Sequence, residues 1–148
     1  MNNIKISKML LSDLEDISST LNSEFDNFWN YNILYEELNN SNSSYIVAKD
    51  SNNEILGFAG IWKSIDDIHI TNIVVKKDFR KNGIGSILLE KLIEMSNIQP
   101  FTSLTLEVNA KNEVAINLYK KHNFKQIGLR KKYYNNIDDA IIMTLYFN

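Results

Sequence analysis

The stretch from Ile68 to Met95, IHITNIVV-KKDFRKNGIG-SILLEKLIEM, determines how the rest of the chain is interpreted. It begins with an apolar segment in which Ile68 and Ile70 occupy even positions, whereas the next apolar residues, from Ile73, occupy odd ones. Side chains alternate with a period of two along a strand. The change of phase near Thr71 therefore predicts either a β-bulge or burial on both faces.

The end of the same stretch predicts an amphipathic helix. Its apolar residues recur at three- and four-residue steps, namely Ile84, Ile87, Leu88, Leu92 and Met95. The turn before the helix contains Gly83 and Gly85, and glycine suits a backbone that takes a positive φ or approaches another group closely. Free N–H groups and the dipole at a helix N-terminus favour an anion, so this turn indicates a phosphate-binding site.

Glycine before a helix is also common as plain turn chemistry. The chain contains neither GxGxxG nor GxxxxGK[ST], which excludes the dinucleotide fingerprint and the P-loop. Residues 80–85 do have the spacing Arg-x-x-Gly-x-Gly, directly after the apolar strand. In this spacing the sequence resembles the GNAT superfamily of N-acetyltransferases, whose signature Arg/Gln-x-x-Gly-x-Gly/Ala holds the pyrophosphate of acetyl-CoA.

Length and composition exclude several classes of protein. The 148 residues fit one domain, expected over residues 1–148, and the net charge of −2 gives no basic field for nucleic acid. There is no cysteine, so disulfides, thiolate metal sites and a cysteine nucleophile are excluded, and two histidines are too few for a histidine metal cluster. No metal is expected. No apolar run approaches the length of a membrane span, so a cytoplasmic protein without membrane contact is the expectation.

Periodicity and turn residues predict the element order β-α-α-β-β-β-α-β-α-β-β. The other strands are expected at Asn3–Lys8, Tyr45–Lys49, Ile55–Ile65, Leu104–Val108, Lys125–Tyr134 and Asp138–Phe147. The other helices are expected from a capping box at Ser12 to about Asn22, over Ile33–Leu38, and from a cap within Asn109–Asn112 to about His122. Turns are expected at Asp50–Asn53 and Asn135–Ile137. This order implies an α+β fold, and the GNAT resemblance implies a central mixed, mostly antiparallel twisted sheet flanked by about four helices.

The segment LEVNAKNEVAINLYKKHNF, residues 106–124, carries the candidate chemistry. Taken singly, Glu107 is a solvated strand carboxylate, Asn112 a helix cap and Tyr119 a core aromatic. Together they resemble the ribosomal-protein-alanine N-acetyltransferase (RimI-type) branch of GNAT, with its pattern Leu-Glu-Val-x-x-x-Asn-x-x-Ala-x-x-Leu-Tyr followed by Gly-Phe. Asn123 replaces that glycine, and asparagine tolerates the left-handed conformation. The resemblance implies that Glu107 is the base and that Tyr119 protonates the departing CoA thiolate.

The resemblance also implies which residues bind acetyl-CoA. The oxyanion is expected to meet a backbone N–H near Val75, and the pantetheine amides are expected to meet the strand around it. The expected contacts are Ile73, Val74, Val75, Arg80, Lys81, Asn82, Gly83, Ile84, Gly85, Ser86 and Asn112. Asn82 stands where a basic residue is frequent in the family.

The acceptor is expected to be a protein or peptide N-terminus, with a ribosomal protein as the target. Contacts are expected from Trp29, Tyr31 and Tyr134. A further hypothesis is that aspartates of two turns, Asp66-Asp67 and Asp138-Asp139, receive a basic acceptor tail. The alternatives are acetylation of a lysine or a small-molecule amine, and a non-catalytic acyl-CoA-binding module. No direct nucleic-acid contact is expected, and the protein is expected to be a monomer or a weak dimer.

Overall fold

The computed structural model of the protein describes residues 3–26, 28–134 and 137–148. Within them the elements follow the order that the sequence predicts. The strands are β1 (Lys5–Lys8), β2 (Ser43–Lys49), β3 (Ile55–Lys63), β4 (Ile68–Val75), β5 (Ser103–Asn109), β6 (Lys125–Tyr134) and β7 (Asp138–Tyr146). The helices are α1 (Leu11–Ile17), α2 (Tyr31–Leu38), α3 (Ile84–Ser96) and α4 (Glu113–Lys121). A 3₁₀ turn (Ser18–Thr20) and a π-helical turn (Leu21–Phe25) follow α1, and a second 3₁₀ turn (Lys77–Phe79) follows β4.

The described strands form a seven-stranded sheet in the order β1-β2-β3-β4-β5-β7-β6. Neighbouring strands are antiparallel except for β4 and β5, which are parallel and pair at His69 and Thr105. Beyond that position the two central strands separate, so an opening forms between the second half of β4 and the second half of β5. The predicted mixed, mostly antiparallel sheet is confirmed.

A β-bulge lies in β4 at Thr71. Gly60 of β3 pairs with Asn72, but the next residue of β3 pairs with Ile70, so Thr71 is the extra residue. The bulge reverses the alternation of side chains along β4. Ile70 is buried on the α3 side of the sheet, and Ile73, three positions later, packs against that same side. The change of phase in the sequence is therefore a bulge, as one of its two interpretations predicts.

Two apolar clusters lie on the two faces of the sheet. One packs α3 and α4 against the sheet through fully buried residues such as Leu88, Leu92 and Leu104. The other packs α1, α2 and the π-helical turn against the opposite face through Leu14, Leu34 and Phe25. Burial of each such side chain contributes about 1.5–3 kcal/mol, so both helix pairs are held to the sheet by apolar area.

The start of α1 differs from the prediction. The helix begins at Leu11, before the expected cap Ser12, and the Asp13 carboxylate accepts a hydrogen bond from the Leu10 N–H at 2.8 Å. Asp13 is buried and pairs with Lys49 Nζ of β2 at 2.8 Å. The carboxylate that caps α1 is therefore that of Asp13. Its charge is paired with Lys49, a residue distant in the sequence.

Other element ends also differ from those predicted. Helix α2 begins at Tyr31 rather than Ile33, because Asn30 accepts a hydrogen bond from the Ile33 N–H at 3.0 Å. Strand β3 ends at Lys63, and Ile65, predicted to be its last residue, is 91% exposed. Strands β1, β2 and β7 differ from the predicted bounds by one or two residues at one end, and β5 is one residue longer at each end. The predicted turn at Asn135–Ile137 falls largely outside the described residues.

Helix α3 begins at Ile84, the first apolar residue of the predicted helix. Its N-cap is Gly83, whose φ of 81° lies in the left-handed region that glycine adopts without a steric penalty. Asn123, after α4, is also left-handed, with a φ of 72°. The predicted conformational roles of these two residues are confirmed.

Gly60 should not tolerate a side chain, because a β-carbon there would overlap the ring of Tyr45 on the neighbouring strand. We expect Gly60→Ala to lower the free energy of unfolding by about 1–3 kcal/mol, the usual cost of overpacking. Urea denaturation measures the effect. The control is Gly85→Ala, whose β-carbon would meet Leu118 at an ordinary 3.5 Å. Equal stability of the two variants would contradict the packing of Tyr45 across Gly60.

Candidate active site

A cleft of about 1120 Å³ occupies the opening between β4 and β5. Its walls are most of β4, most of β5, one side of α4 with its cap Asn112, the loop before α2 and the end of β6. A second cavity of about 790 Å³ lies beside β1 and the loop between α2 and β2, and it contains none of the predicted site residues. The cleft is therefore the candidate active site.

The two predicted catalytic residues line this one cleft from different elements. Glu107 points outward from β5, between the buried residues Leu106 and Val108. Tyr119 is 8% exposed on α4, where its ring packs edge-on against Phe124 with centroids 5.7 Å apart. The structure thus brings a carboxylate and a phenol into the lining of the same opening.

The carboxylate of Glu107 has a partner that the sequence did not indicate. Arg130 of β6 donates from Nη1 to Glu107 Oε1 at 2.7 Å. This hydrogen bond raises the pKa of Arg130, and its guanidinium lies 4.3 Å from the ring centre of Tyr133. No motif identifies Arg130, because β6 meets β5 only through β7, which lies between them in the sheet.

Asn112 both caps α4 and lines the cleft. Its side-chain oxygen accepts a hydrogen bond from the Ala115 N–H at 3.1 Å. The cap fixes the first turn of the helix that carries Tyr119. The structural role of Asn112 is therefore visible, while its predicted contact with acetyl-CoA stays a prediction.

The glycine turn presents unpaired main-chain N–H groups at the start of α3. The first helical hydrogen bond runs from the Ile87 N–H to the Gly83 carbonyl at 3.1 Å. The N–H groups of Ile84, Gly85 and Ser86 therefore have no partner within the helix. Gly83 is exposed and Gly85 is half-buried, so the turn remains open to a ligand. Such a helix terminus suits a phosphate.

Arg80, the first residue of the predicted signature, is hydrogen-bonded to the protein itself. Its Nε donates to the Val75 carbonyl at 3.0 Å and its Nη2 donates to the Phe25 carbonyl at 2.8 Å. Asn82 donates to the Phe79 carbonyl at 3.2 Å. A guanidinium carries five N–H donors, so Arg80 retains donors for a phosphate while it joins the turn to the segment after α1.

The remaining predicted residues divide into two groups. Ile73, Val74 and Trp29 line the cleft. The residues of the glycine turn, Val75 and Tyr31 lie outside its lining, and Tyr31 stacks on Tyr35 with ring centres 5.9 Å apart. The side chain of Tyr134 falls outside the described residues. The acceptor and cofactor roles of all these residues stay predictions.

One of the four aspartates in the acidic-tail hypothesis, Asp67, lines the cleft. Asp138 instead pairs with Lys111 Nζ at 2.8 Å, and this hydrogen bond lowers the pKa of the Asp138 carboxyl. Asp139 accepts from the Lys132 N–H at 2.8 Å. Both residues therefore have local structural partners, and Asp67 is the carboxylate of this set best placed for an acceptor.

His69 lines the cleft, although no motif in the sequence assigns it a role there. It lies on β4 opposite Thr105 and stacks on Trp62 with ring centres 5.3 Å apart. Burial lowers its pKa below the ordinary value of 6.5, although the carboxylates of Glu107 and Asp67 act in the opposite direction. Its alternation with the buried Ile68 and Ile70 was the signal that could have placed it on the cleft face.

Comparison with known proteins identifies the family of this site. Residues 11–124 match the acetyltransferase (GNAT) family. The chain belongs to the GNAT family. It is an N-acetyltransferase by this membership, as the sequence predicts. Among the described residues of this GNAT chain, no helix is long and apolar enough to span a membrane.

The relatives point to one branch of GNAT. A Bacillus subtilis protein, provisionally named a ribosomal protein bS18-alanine N-acetyltransferase, is 31% identical over 97% of this chain and 95% of its own length. The crystal structure of the ribosomal-protein-S18-alanine N-acetyltransferase from Escherichia coli matches with a TM-score of 0.84 and 27% identity, over 97% of this chain and 93% of that one. The predicted resemblance to this branch is confirmed.

A structure with bound acetyl-CoA also shares the fold. Arabidopsis thaliana NAA60 in complex with acetyl-CoA matches with a TM-score of 0.82 and 21% identity, over 99% of each chain. At this identity the likeness concerns the fold alone. The predicted GNAT fold of this chain is confirmed.

His69 should titrate below the ordinary imidazole pKa of 6.5. The unfolded chain then binds a proton at higher pH than the folded chain does. The stability that neutral His69 provides is therefore complete above about pH 6.5 and is lost as the pH falls toward the folded pKa. NMR titration of His122→Gln, which leaves His69 as the single imidazole, measures the value. A pKa at or above 6.5 would contradict the prediction, because the nearby carboxylates would then outweigh the burial of the ring.

Proposed function

We propose that this GNAT enzyme transfers the acetyl group of acetyl-CoA to the α-amino group at the N-terminus of a protein, with a ribosomal protein as the acceptor. The observation that carries the proposal is that Glu107 and Tyr119 both line one cleft. It is supported by the relatives, whose names specify ribosomal-protein-alanine N-acetylation. Such an acceptor places the reaction in the cytoplasm, and no direct contact with nucleic acid is proposed.

The chain has groups suited to each part of acetyl-CoA. The free N–H groups of residues 84–86 and the positive end of the α3 dipole suit the diphosphate. The main chain of Ile73–Val75 lies where β4 has separated from β5, and it offers hydrogen-bonding groups to the pantetheine amides. This arrangement would direct the thioester into the cleft between Glu107 and Tyr119.

The chemistry of the acceptor explains why a carboxylate base suffices. An α-amine with a pKa near 7.8 is about 15% neutral at pH 7, whereas a lysine amine with a pKa near 10.4 is about 0.04% neutral. Glu107 accepts the proton of the α-ammonium group, either directly or through a water molecule. Arg130 occupies Oε1 of this carboxylate, so Oε2 is the oxygen that we assign to the acceptor.

The transfer itself needs no covalent enzyme intermediate. The neutral amine attacks the thioester carbonyl carbon, and a main-chain N–H near Val75 stabilises the oxyanion that forms. The C–S bond then breaks, and Tyr119 gives its phenolic proton to the CoA thiolate. The amide nitrogen loses its second proton, which restores the phenol through solvent.

An acceptor assay separates the proposal from its alternatives. We expect acetylation of a peptide that begins Ala-Arg-Tyr, with the acetyl group located on the α-nitrogen by tandem mass spectrometry. The same peptide, blocked at its N-terminus and carrying an internal lysine, should remain unmodified. Acetylation of that lysine would instead assign the enzyme to ε-amines, and acetylation of neither peptide would favour a small-molecule amine.

Substitution of the proposed catalytic residues should slow the chemical step. We expect Glu107→Gln and Tyr119→Phe each to lower kcat by roughly 10²–10⁴-fold, the usual contribution of general acid–base catalysis. The dissociation constant for acetyl-CoA, measured by calorimetry, should stay unchanged.

The matched controls for these two variants are Glu94→Gln and Tyr146→Phe. The Glu94 side chain is 73% exposed on α3 and pairs with Lys91, and Tyr146 is 62% exposed at the end of β7. Both controls should keep the wild-type kcat. Wild-type turnover in the Glu107→Gln/Tyr119→Phe double variant would rule out the assigned roles.

A further inference from the structure

The bulge in β4 presents buried polar atoms that have no partner. The amide atoms Oδ1 and Nδ2 of Asn72 and the hydroxyl of Thr71 are buried and form no hydrogen bond within the described residues. Asn72 as a whole is 7% exposed, and both residues belong to the lining of the cleft. Buried polar groups in native proteins are nearly always hydrogen-bonded, so this pair requires an explanation.

The bulge is the reason that Asn72 belongs to this face of the sheet. Ile68 and Ile70 are buried on the α3 side, and uninterrupted alternation would put Asn72 there too. Because Thr71 is an extra residue, Asn72 instead lies opposite Gly60 on the face of α1 and α2. Bulges often re-aim a side chain next to an active site.

Neighbouring strands enclose the Asn72 amide on one side. Tyr45, Gly60 and Asn72 stand opposite one another on β2, β3 and β4, and the Tyr45 ring crosses Gly60, which has no side chain. The Tyr45 phenol donates to Glu37 Oε1 at 3.2 Å. Burial raises the pKa of Tyr45 strongly, and the Glu37 carboxylate raises it further. The phenol therefore stays neutral and gives its proton to Glu37. Asn72 and Thr71 lie close enough to the phenol oxygen to lower the pKa of Tyr45 in part, but neither side chain reaches hydrogen-bonding geometry with it.

The chemistry of a side-chain amide defines the ligand that fits it. Asn72 offers one acceptor and one N–H₂ donor side by side. In an extended peptide the nitrogen and the carbonyl oxygen of one residue point to the same side, as in a hydrogen-bonded antiparallel pair. A single side-chain amide can therefore accept from the nitrogen and donate to the carbonyl oxygen of the same acceptor residue.

We propose that Asn72, with Thr71, determines specificity by binding the first residue of the acceptor through its α-nitrogen and its carbonyl oxygen. The inference rests on the proposed function and adds the selection of α-amines over ε-amines. In an α-amine, the carbon that carries the nitrogen is bonded directly to the carbonyl carbon. The ε-amine of a lysine is separated from its main chain by four methylene groups, so it leaves the Asn72 donor unpaired.

The test uses one peptide that carries both a free N-terminal alanine and an internal lysine. For the wild type we expect α-acetylation to dominate strongly. In Asn72→Leu, which preserves the approximate shape but removes both polar atoms, the ratio of α- to ε-acetylation should fall at least tenfold. The KM for the peptide should rise at least tenfold, while the dissociation constant for acetyl-CoA stays within twofold. Asn72→Ala should change the ratio in the same direction.

A stability measurement accompanies the kinetics. Because the amide is unpaired in the free protein, its removal should leave Tm unchanged or raise it by a few degrees. A lower Tm in both variants would overturn the inference, since the amide would then have a protein partner. The control is Asn32→Leu, a change of the same kind on the exposed surface of α2, which should alter neither the acetylation ratio nor KM.

The remaining outcomes are also decisive. An unchanged ratio and KM in Asn72→Leu, with a wild type that acetylates the α-amine, would overturn this inference alone. A weaker affinity for acetyl-CoA with an unchanged peptide KM would assign Asn72 to the coenzyme. A wild type that fails to acetylate the α-amine would overturn the proposed function, and this inference with it.

Discussion

The separation of the two central strands is the constraint on which the site depends. Strands β4 and β5 pair at His69 and Thr105 and then diverge, which leaves main-chain N–H and C=O groups without sheet partners in the middle of the molecule. Unpaired polar groups away from water are costly. The fold accepts this cost at the place where a ligand with amide groups of its own can supply the missing hydrogen bonds.

Local patterns predicted those parts of the structure that depend on neighbours in the sequence. The phase change at Thr71 predicted the bulge, the glycine at position 83 predicted a left-handed helix start, and Asn123 predicted a left-handed helix end. The resemblance over residues 106–124 drew attention to Glu107 and Tyr119, which the structure places in the lining of one cleft. In each case the deciding residues are close together in the chain.

The features that were missed depend on contacts between distant segments. Asp13 caps α1 while it pairs with Lys49, and Arg130 reaches Glu107 from a strand that is not its neighbour in the sheet. No sequence pattern singles out Asn72, whose distinguishing feature is that its buried amide atoms form no hydrogen bond within the described residues. Periodicity predicts which face of a strand or helix a residue occupies. It does not predict which distant residue lies next to that side chain, and the roles of Asp13, Arg130 and Asn72 depend on such neighbours.

The hydrogen bonds of Arg80 have a mechanical consequence. One guanidinium connects the carbonyl of Val75, at the end of β4, with the carbonyl of Phe25, just before the loop that leads to α2. A lysine has a single ammonium head and lacks the planar fork that spans two such acceptors. Because Arg80 begins the glycine turn, these two hydrogen bonds fasten the start of that turn both to the end of β4 and to the segment that joins the cleft lining at Asp26.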